Sequence, residues 1–327
     1  MARKALLVGV NDYKGISDLR GCINDVTNMR NILKSYLGFT NSDIRVLVDA
    51  RATKAGILSR LNWLVRGAKA GDFLVFHFSG HGSQIRDRDG DELSDRMDEI
   101  ICPHDMNWDN GYITDDDLNA IFKKLPQGVL LEVFLDSCHS GTGLREVGGE
   151  LGRPLELGPE RNLPAPTITA YRKERYLPPP PDIVARYEGE EEELKAPGRF
   201  TAIARESTHH ILWAGCRDNQ TSADAYIGGS YNGAFTYFLC KHIRAANNSI
   251  SRAELLRRVR QSLVHNGFSQ VPQLETEATV RQMRAFSLTE KRGDGALTSR
   301  GRAQAARKAM AVAEPSSPRV TTLKVAK

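Results

Sequence analysis

Two short strings in this sequence hold side chains able to break a covalent bond. Residues 136–139 read Asp-Ser-Cys-His, and residues 80–82 read Gly-His-Gly. A thiol is only a few per cent thiolate at neutral pH and becomes an effective nucleophile beside an imidazole or a helix N-terminus. Cys138 is therefore the candidate nucleophile and His81 the candidate proton carrier. Glycines on both sides of His81 let the chain turn tightly and free the Gly82 N–H to face a developing oxyanion, with the Cys138 N–H as a second donor. The commoner fate of a free cysteine is burial as a small hydrophobe, but a core position does not call for polar, small neighbours on both sides. His77 stands four residues before His81, which on a strand is about 13 Å and too far for two ligands of one zinc ion. It reads as a core residue behind the site, and His139, next to Cys138 and turned away from it, as structural.

The elements that must position this pair are legible as apolar runs. Residues 129–135 and 72–79 are nearly continuous in apolar, β-branched and aromatic types, the pattern of strands buried on both faces of a parallel sheet. In such sheets chemistry gathers outside the carboxyl ends of the strands, where both strings fall. Residues 4–10 form a first strand, followed by a helix with Cys22, Val26, Met29, Leu33 and Leu37 at helical spacing and Gly38 as its stop. A short strand at 44–48 precedes a helix at 53–70 carrying Ile57, Leu61, Leu64 and Val65. Thr114 caps a helix that opens on three aspartates and buries Leu118, Ile121, Phe122 and Leu125. Further on, 210–216 is a strand, 234–243 and 251–264 are helices, and 282–288 is a final strand. Alternating strands and helices imply an α/β fold with right-handed crossovers and a mainly parallel sheet covered on both faces.

The strings FHFSGHGSQ and FLDSCHSG, in that order, resemble the caspase-like cysteine peptidases, and within them the metacaspases and their prokaryotic relatives, the orthocaspases. The resemblance runs from residue 4 to about 290. Cys138 lies 57 residues after His81, close to the roughly 50 of caspase-type enzymes. The resemblance implies a caspase-like (caspase–hemoglobinase) fold and an endopeptidase that cleaves proteins or peptides after Arg or Lys. Asp136, two residues before Cys138, points to the same side by strand alternation, and GCINDVTNM resembles the metacaspase segment that supplies a Cys and an Asp to the specificity pocket. Matched residue by residue, that pocket comprises Cys22, Asp25, Ser79 and Asp136. The resemblance also implies Ca²⁺, through Asp98, Asp115 and Asp116; the fourth ligand position falls on Arg145, a cation, with Glu146 displaced by one. The loop 87–91, DRDGD, resembles the start of an EF-hand but lacks its later spacing.

Composition sets the remaining bounds. Five cysteines without regular spacing argue against a disulfide framework and for a reducing, cytoplasmic setting. No apolar stretch approaches the length of a membrane span, and the short apolar run after MARK reads as a strand, not a signal peptide. The net charge of +5 belongs to residues 290–327, which hold nine Lys/Arg against three Asp/Glu, while the rest carries 36 basic and 37 acidic groups. That tail reads as solvated and disordered; neither nucleic acid nor membrane is an expected partner, and a monomer is expected. The organisation is then a first catalytic part at 1–144, a Pro- and Glu-rich mobile insertion at 145–199, a second catalytic part at 200–289 and the tail. Within the insertion Arg172, Lys173 and Arg175, flanked by Tyr171 and Tyr176, are candidate self-cleavage positions, since a peptidase selective for basic residues meets its own chain at high effective concentration. The competing expectation is a silent scaffold that docks through the tail; hydrolysis of an Arg peptide separates the two.

Overall fold

Runs that are apolar at every position need cover on both faces, and the central sheet supplies it. The computed structural model describes residues 1–86, 97–138, 171–185, 210–217 and 220–287, all within one compact unit, Met1–Leu288. Its main sheet has the order β12-β9-β7-β3-β1-β2. Strands β1 (Arg3–Gly9), β2 (Ile44–Val48), β3 (Phe73–Ser79), β7 (Leu130–Asp136) and β9 (His210–Ala214) run parallel, and β12 (Gln273–Glu275) closes the edge antiparallel to β9. Every residue of β3 and β7 is buried. Alternation sends Leu6, Val8, Phe76, Phe78, Leu131 and Val133 into one core and Ala5, Leu7, Val75 and Phe134 into the other. Each of these side chains other than Ala5 contributes about 1.5–3 kcal/mol when fully buried.

Helices α2 (Lys54–Val65) and α3 (Asp115–Phe122) cover the first face; α1 (Cys22–Leu37), α5 (Ala234–Ala245) and α6 (Arg252–His265) cover the second. Local chemistry sets their ends. Thr53 accepts from the Gly56 N–H, Ser251 from the Glu254 N–H, and Thr114 with Asp117 forms a reciprocal capping box. Helix α1 stops at Gly38 in the left-handed conformation. Helix α2 ends at Val65 rather than continuing to residue 70, because Gly67 takes φ +67° and turns the chain.

Two departures from the sequence reading concern the second half. Residues 282–287 do not form a strand: α7 (Ala278–Arg281) is followed by turns, Phe286 adopts φ +60°, and its N–H donates to the buried Glu132 carboxylate at 2.7 Å. The antiparallel edge falls instead on β12, three residues too short to show a period. Part of the insertion is built into the fold: β8 (Arg172–Glu174) joins β10 (Ala223–Ile227) and β11 (Ser230–Gly233) in a three-stranded sheet, and α4 (Pro181–Ala185) follows. A third small sheet holds β4 (Gly82–Arg86), β5 (Met97–Ile101) and β6 (Ile113–Thr114). Residues 87–91, His139, Arg145, Glu146 and the 290–327 tail lie outside the described residues. Among the described residues no helix is long and apolar enough to cross a membrane.

Candidate active site

After β1 the chain crosses to β2 on one side of it and returns to β3 on the other, so the strand order reverses at β1. A crevice opens at such a reversal, outside the carboxyl ends of the strands. In register, Gly9 pairs with Ser79 and Ser79 with Asp136, which sets the ends of β1, β3 and β7 level. His81 lies two residues past the end of β3 and Cys138 two past the end of β7.

The Cys138 thiol is buried, and its sulfur accepts the Ser222 N–H at 2.5 Å. The Cys216 thiol shares a hydrogen bond with it and lies 3.7 Å from the Ser137 carbonyl. That bond, followed by burial, raises the Cys216 pKa, so Cys216 stays a neutral thiol. The Cys138 thiol in turn donates to the Ser222 carbonyl at 3.5 Å. His81 is fixed from two sides: its backbone N–H donates to the Tyr13 hydroxyl at 2.7 Å, and its Nε2 lies 2.8 Å from the Ser17 carbonyl oxygen. A carbonyl only accepts, so Nε2 carries the hydrogen and Nδ1 is the basic nitrogen. The sequence offers no third, orienting side chain, and the structure supplies a backbone carbonyl in that role. Burial lowers the His81 pKa to about 4, against smaller raising contributions from the Ser17 and Arg175 backbones, which keeps the imidazole neutral at pH 7.

The acidic pocket beside this pair is filled by the chain's own Arg175, a fully buried side chain. Its Nη2 donates to Asp25 Oδ2 at 2.8 Å and to Asp224 Oδ1 at 3.2 Å; its Nη1 donates to Ser79 Oγ and to the Asp136 carbonyl, both at 2.9 Å, and lies 3.2 Å from Asp136 Oδ1. Each carboxylate is anchored from behind. Asp25, in the first turn of α1, accepts the Gly233 N–H and the Ser79 hydroxyl; Asp136 accepts from Ser222 Oγ and from the Thr236 N–H and hydroxyl; Asp224 accepts the N–H groups of Arg20 and Gly21. Three fully buried acids face one cation. Burial raises Asp25 to about 7 even with Arg175 lowering it, and Asp136 adds to the rise. Cys22 lies in the same pocket, its thiol pushed up chiefly by burial. Gly233 is the floor: a methyl there would sit 2.6 Å from both Arg175 Nη1 and Asp25 Oδ2 and against Asp136 Oδ2.

The backbone around Arg175 is held equally closely. The Gly82 N–H donates to the Arg175 carbonyl at 2.9 Å, the Leu177 N–H donates back to Gly82, and Tyr176 bridges Gly82 in parallel. Upstream, β8 pairs antiparallel with β10, Lys173 opposite Asp224.

Of the residues singled out in the sequence, Asp25, Ser79 and Asp136 converge on one guanidinium, with Cys22 near enough to feel its charge, and Gly82 meets that residue's carbonyl. Arg172 and Lys173 do not enter the pocket; Lys173 Nζ donates to the Asp18 carbonyl and Arg172 to the Asn266 and Gly267 carbonyls. His77 is buried behind the pocket, its Nε2 3.4 Å from Thr236 Oγ1 and its pKa lowered to about 4 by burial. Sequence reasoning missed Asp224, Ser222, Tyr13 and the Ser17 carbonyl. The only signal for Asp224 is an acid between two alanines in a strand, Ala223-Asp224-Ala225.

Asp98 on β5 and Asp115 at the start of α3 are buried, with Asp116 beside them partly exposed. Ca²⁺ takes six to eight oxygens, and among the described residues no three His, Cys, Asp or Glu side chains gather so as to hold a metal.

Residues 3–146 match the family model for the metacaspase, peptidase C14 domain. Metacaspase-1 of Ajellomyces capsulatus is 36% identical over 288 residues, which cover 83% of this chain and 79% of that protein. Metacaspase-1A of Aspergillus niger is 35% identical, covering 83% of this chain and 69% of its own length. Among solved structures, protein GSU0716 of Geobacter sulfurreducens superposes with a TM-score of 0.61 at 22% identity, covering 89% of this chain and 100% of that one. Caspase-1 of Spodoptera frugiperda gives 0.52 at 15% identity, covering 89% and 91%. The two structural likenesses carry the caspase-like fold; the sequence identities, over four-fifths of the chain, go further, and the chain belongs to the metacaspase family of cysteine-type endopeptidases.

Proposed function

We propose that this peptidase cleaves after Arg, and less readily after Lys, and that its own Arg175–Tyr176 bond is its first substrate. One observation carries the reading: Arg175 has its guanidinium among three buried carboxylates and its carbonyl oxygen on the Gly82 N–H. A residue bound at both its side chain and its carbonyl is bound as a substrate is. Two guanidinium nitrogens meet separate acceptors in a fixed fork, which a single ammonium cannot reproduce; hence Arg over Lys.

In the steps that follow, Nδ1 of His81 takes the Cys138 proton and the sulfur attacks the carbonyl carbon of the basic residue. The C=O bond becomes C–O⁻, stabilised by the N–H groups of Gly82 and Cys138. The intermediate collapses with loss of the C–N bond, and the imidazolium returns its proton to the leaving amine. Water, deprotonated by the same imidazole, then hydrolyses the thioester and regenerates the thiol. The Ser17 carbonyl holds the ring throughout and stabilises the imidazolium. Until it is cut, the 171–177 strand occupies the site in place of other substrates. Ca²⁺ stimulation rests on Asp98, Asp115 and Asp116 alone and enters no step; Ca²⁺ titration of wild type and Asp115→Ala tests it.

The deciding measurement is mass spectrometry of purified wild type and Cys138→Ala after incubation. Wild type should yield an amino-terminal fragment ending at Arg175, and Cys138→Ala an intact chain. Cleavage at Arg172 or Lys173 instead, or cleavage by Cys138→Ala, refutes the assignment.

A further inference from the structure

The strand that enters the site shows more than where its last residue goes. β8 adds to the edge of β10 through main-chain hydrogen bonds, a mode of binding open to any extended peptide. Three residues before Arg175, the Arg172 side chain leaves that strand and reaches the carboxyl end of α6. There Nη1 donates to the Gly267 carbonyl at 2.5 Å, Nη2 to the Asn266 carbonyl at 3.0 Å, and the guanidinium lies 4.3 Å from the centroid of the Phe268 ring.

The site is built where a helix ends. α6 stops at His265, the carbonyls of Asn266 and Gly267 follow it in the turn, and the macrodipole gives this end partial negative charge. After α6 the chain turns through Gly267 at φ +70°, and the N–H groups of Gly267 and Phe268 fold back onto Val264 and Leu263. Phe268 is then 5% exposed and packs edge-on against Phe238, so its ring is rigid. Two carbonyls in a fork, beside an aromatic face, match a planar cation with paired donors. Arg172 and Glu174 are both exposed on this strand, but Arg172 meets two carbonyl oxygens where Lys173 meets one.

We propose that the turn Asn266-Gly267-Phe268 is a second substrate subsite, selective for Arg at the third position before the cleaved residue. This rests on the reading of the 171–176 segment as a substrate held in place. The enzyme then reads two basic side chains in one peptide, of the form Arg-Xaa-Xaa-Arg. Protein substrates should be cut first at exposed, extended segments with that spacing.

Two fluorogenic tetrapeptide amides with the same leaving group, Arg-Lys-Glu-Arg and Ala-Lys-Glu-Arg, separate the possibilities on incubated full-length protein. A stacked, partly exposed guanidinium with two charge-assisted bonds predicts a kcat/KM about ten-fold higher for the first. Phe268→Leu, which keeps an apolar side chain under the turn, should shrink that ratio several-fold. Equal kcat/KM for the two peptides overturns the subsite and leaves cleavage after Arg standing. Hydrolysis of neither, with the chain itself uncut, brings down both readings.

Discussion

Asp224→Asn is the substitution that most directly tests the acidic pocket, because Asp224 was found only in the structure. It is isosteric, and its one carbonyl oxygen, in the place of Oδ1, still accepts the Gly21 amide and Arg175, so it removes the negative charge together with the acceptor that Oδ2 offers the Arg20 amide. Arg175 Nη2 lies 3.2 Å from Asp224 Oδ1, with neither side chain exposed. A buried hydrogen bond to an ionised partner contributes about 1.5–3 kcal/mol, and each 1.36 kcal/mol is ten-fold in rate. The kcat/KM for an Arg peptide should therefore fall about ten- to hundred-fold. The control is the same peptide with citrulline, the neutral isostere of Arg, at the cleaved position. That peptide is poor for wild type and should be little changed or slightly improved for Asp224→Asn, because an amide asks less of an uncharged urea than a carboxylate does. Equal losses on both peptides would mean that the pocket has collapsed, and no loss on the Arg peptide would mean that Asp25 and Asp136 suffice. Either result refutes a charge-reading role for Asp224.

Gly233→Ala should block the pocket by volume: with its methyl 2.6 Å from where Arg175 Nη1 and Asp25 Oδ2 now lie, hydrolysis after Arg should drop by about ten- to hundred-fold or more, with self-cleavage failing in parallel; unchanged self-cleavage on a gel would count against the pocket floor. Stability should depend on pH through His77 and His81. Both have folded-state values of about 4 against 6.5 unfolded, so the unfolded chain binds more protons and the contribution is complete above pH 6.5 and lost as pH falls towards 4. At about 1.4 kcal/mol per unit the loss approaches about 3 kcal/mol for each imidazole. Urea unfolding of Cys138→Ala at pH 7 and pH 4.5, with and without His77→Gln, should show a shallower acid loss in the doubly substituted chain; identical slopes would reject the buried neutral imidazole.

What was legible in the sequence was whatever the parallel sheet places by itself. Strands β3 and β7 need cover on both faces and so are written as unbroken apolar runs, and the first polar residues after each run fall on the working edge; Ser79, His81, Asp136 and Cys138 are readable for that reason. Asp25 is readable because a helix starting where β1 ends brings its first turn to the same edge. Asp224 obeys no such rule. It sits on β10, whose partners are a local hairpin and a strand 49 residues away by the Arg175 contact, and strand pairing across that distance leaves no period to read. The Ser17 carbonyl is out of reach of any sequence argument, since every residue has one. The choice among Arg172, Lys173 and Arg175 shows the same limit. All three are basic and within four positions of one another, and β-pairing phase, not residue type, decides which enters the pocket: the register Lys173 opposite Asp224 sets the strand's position, the Gly82 amide fixes the carbonyl two residues on, and the side chain carried between those two constraints is that of Arg175.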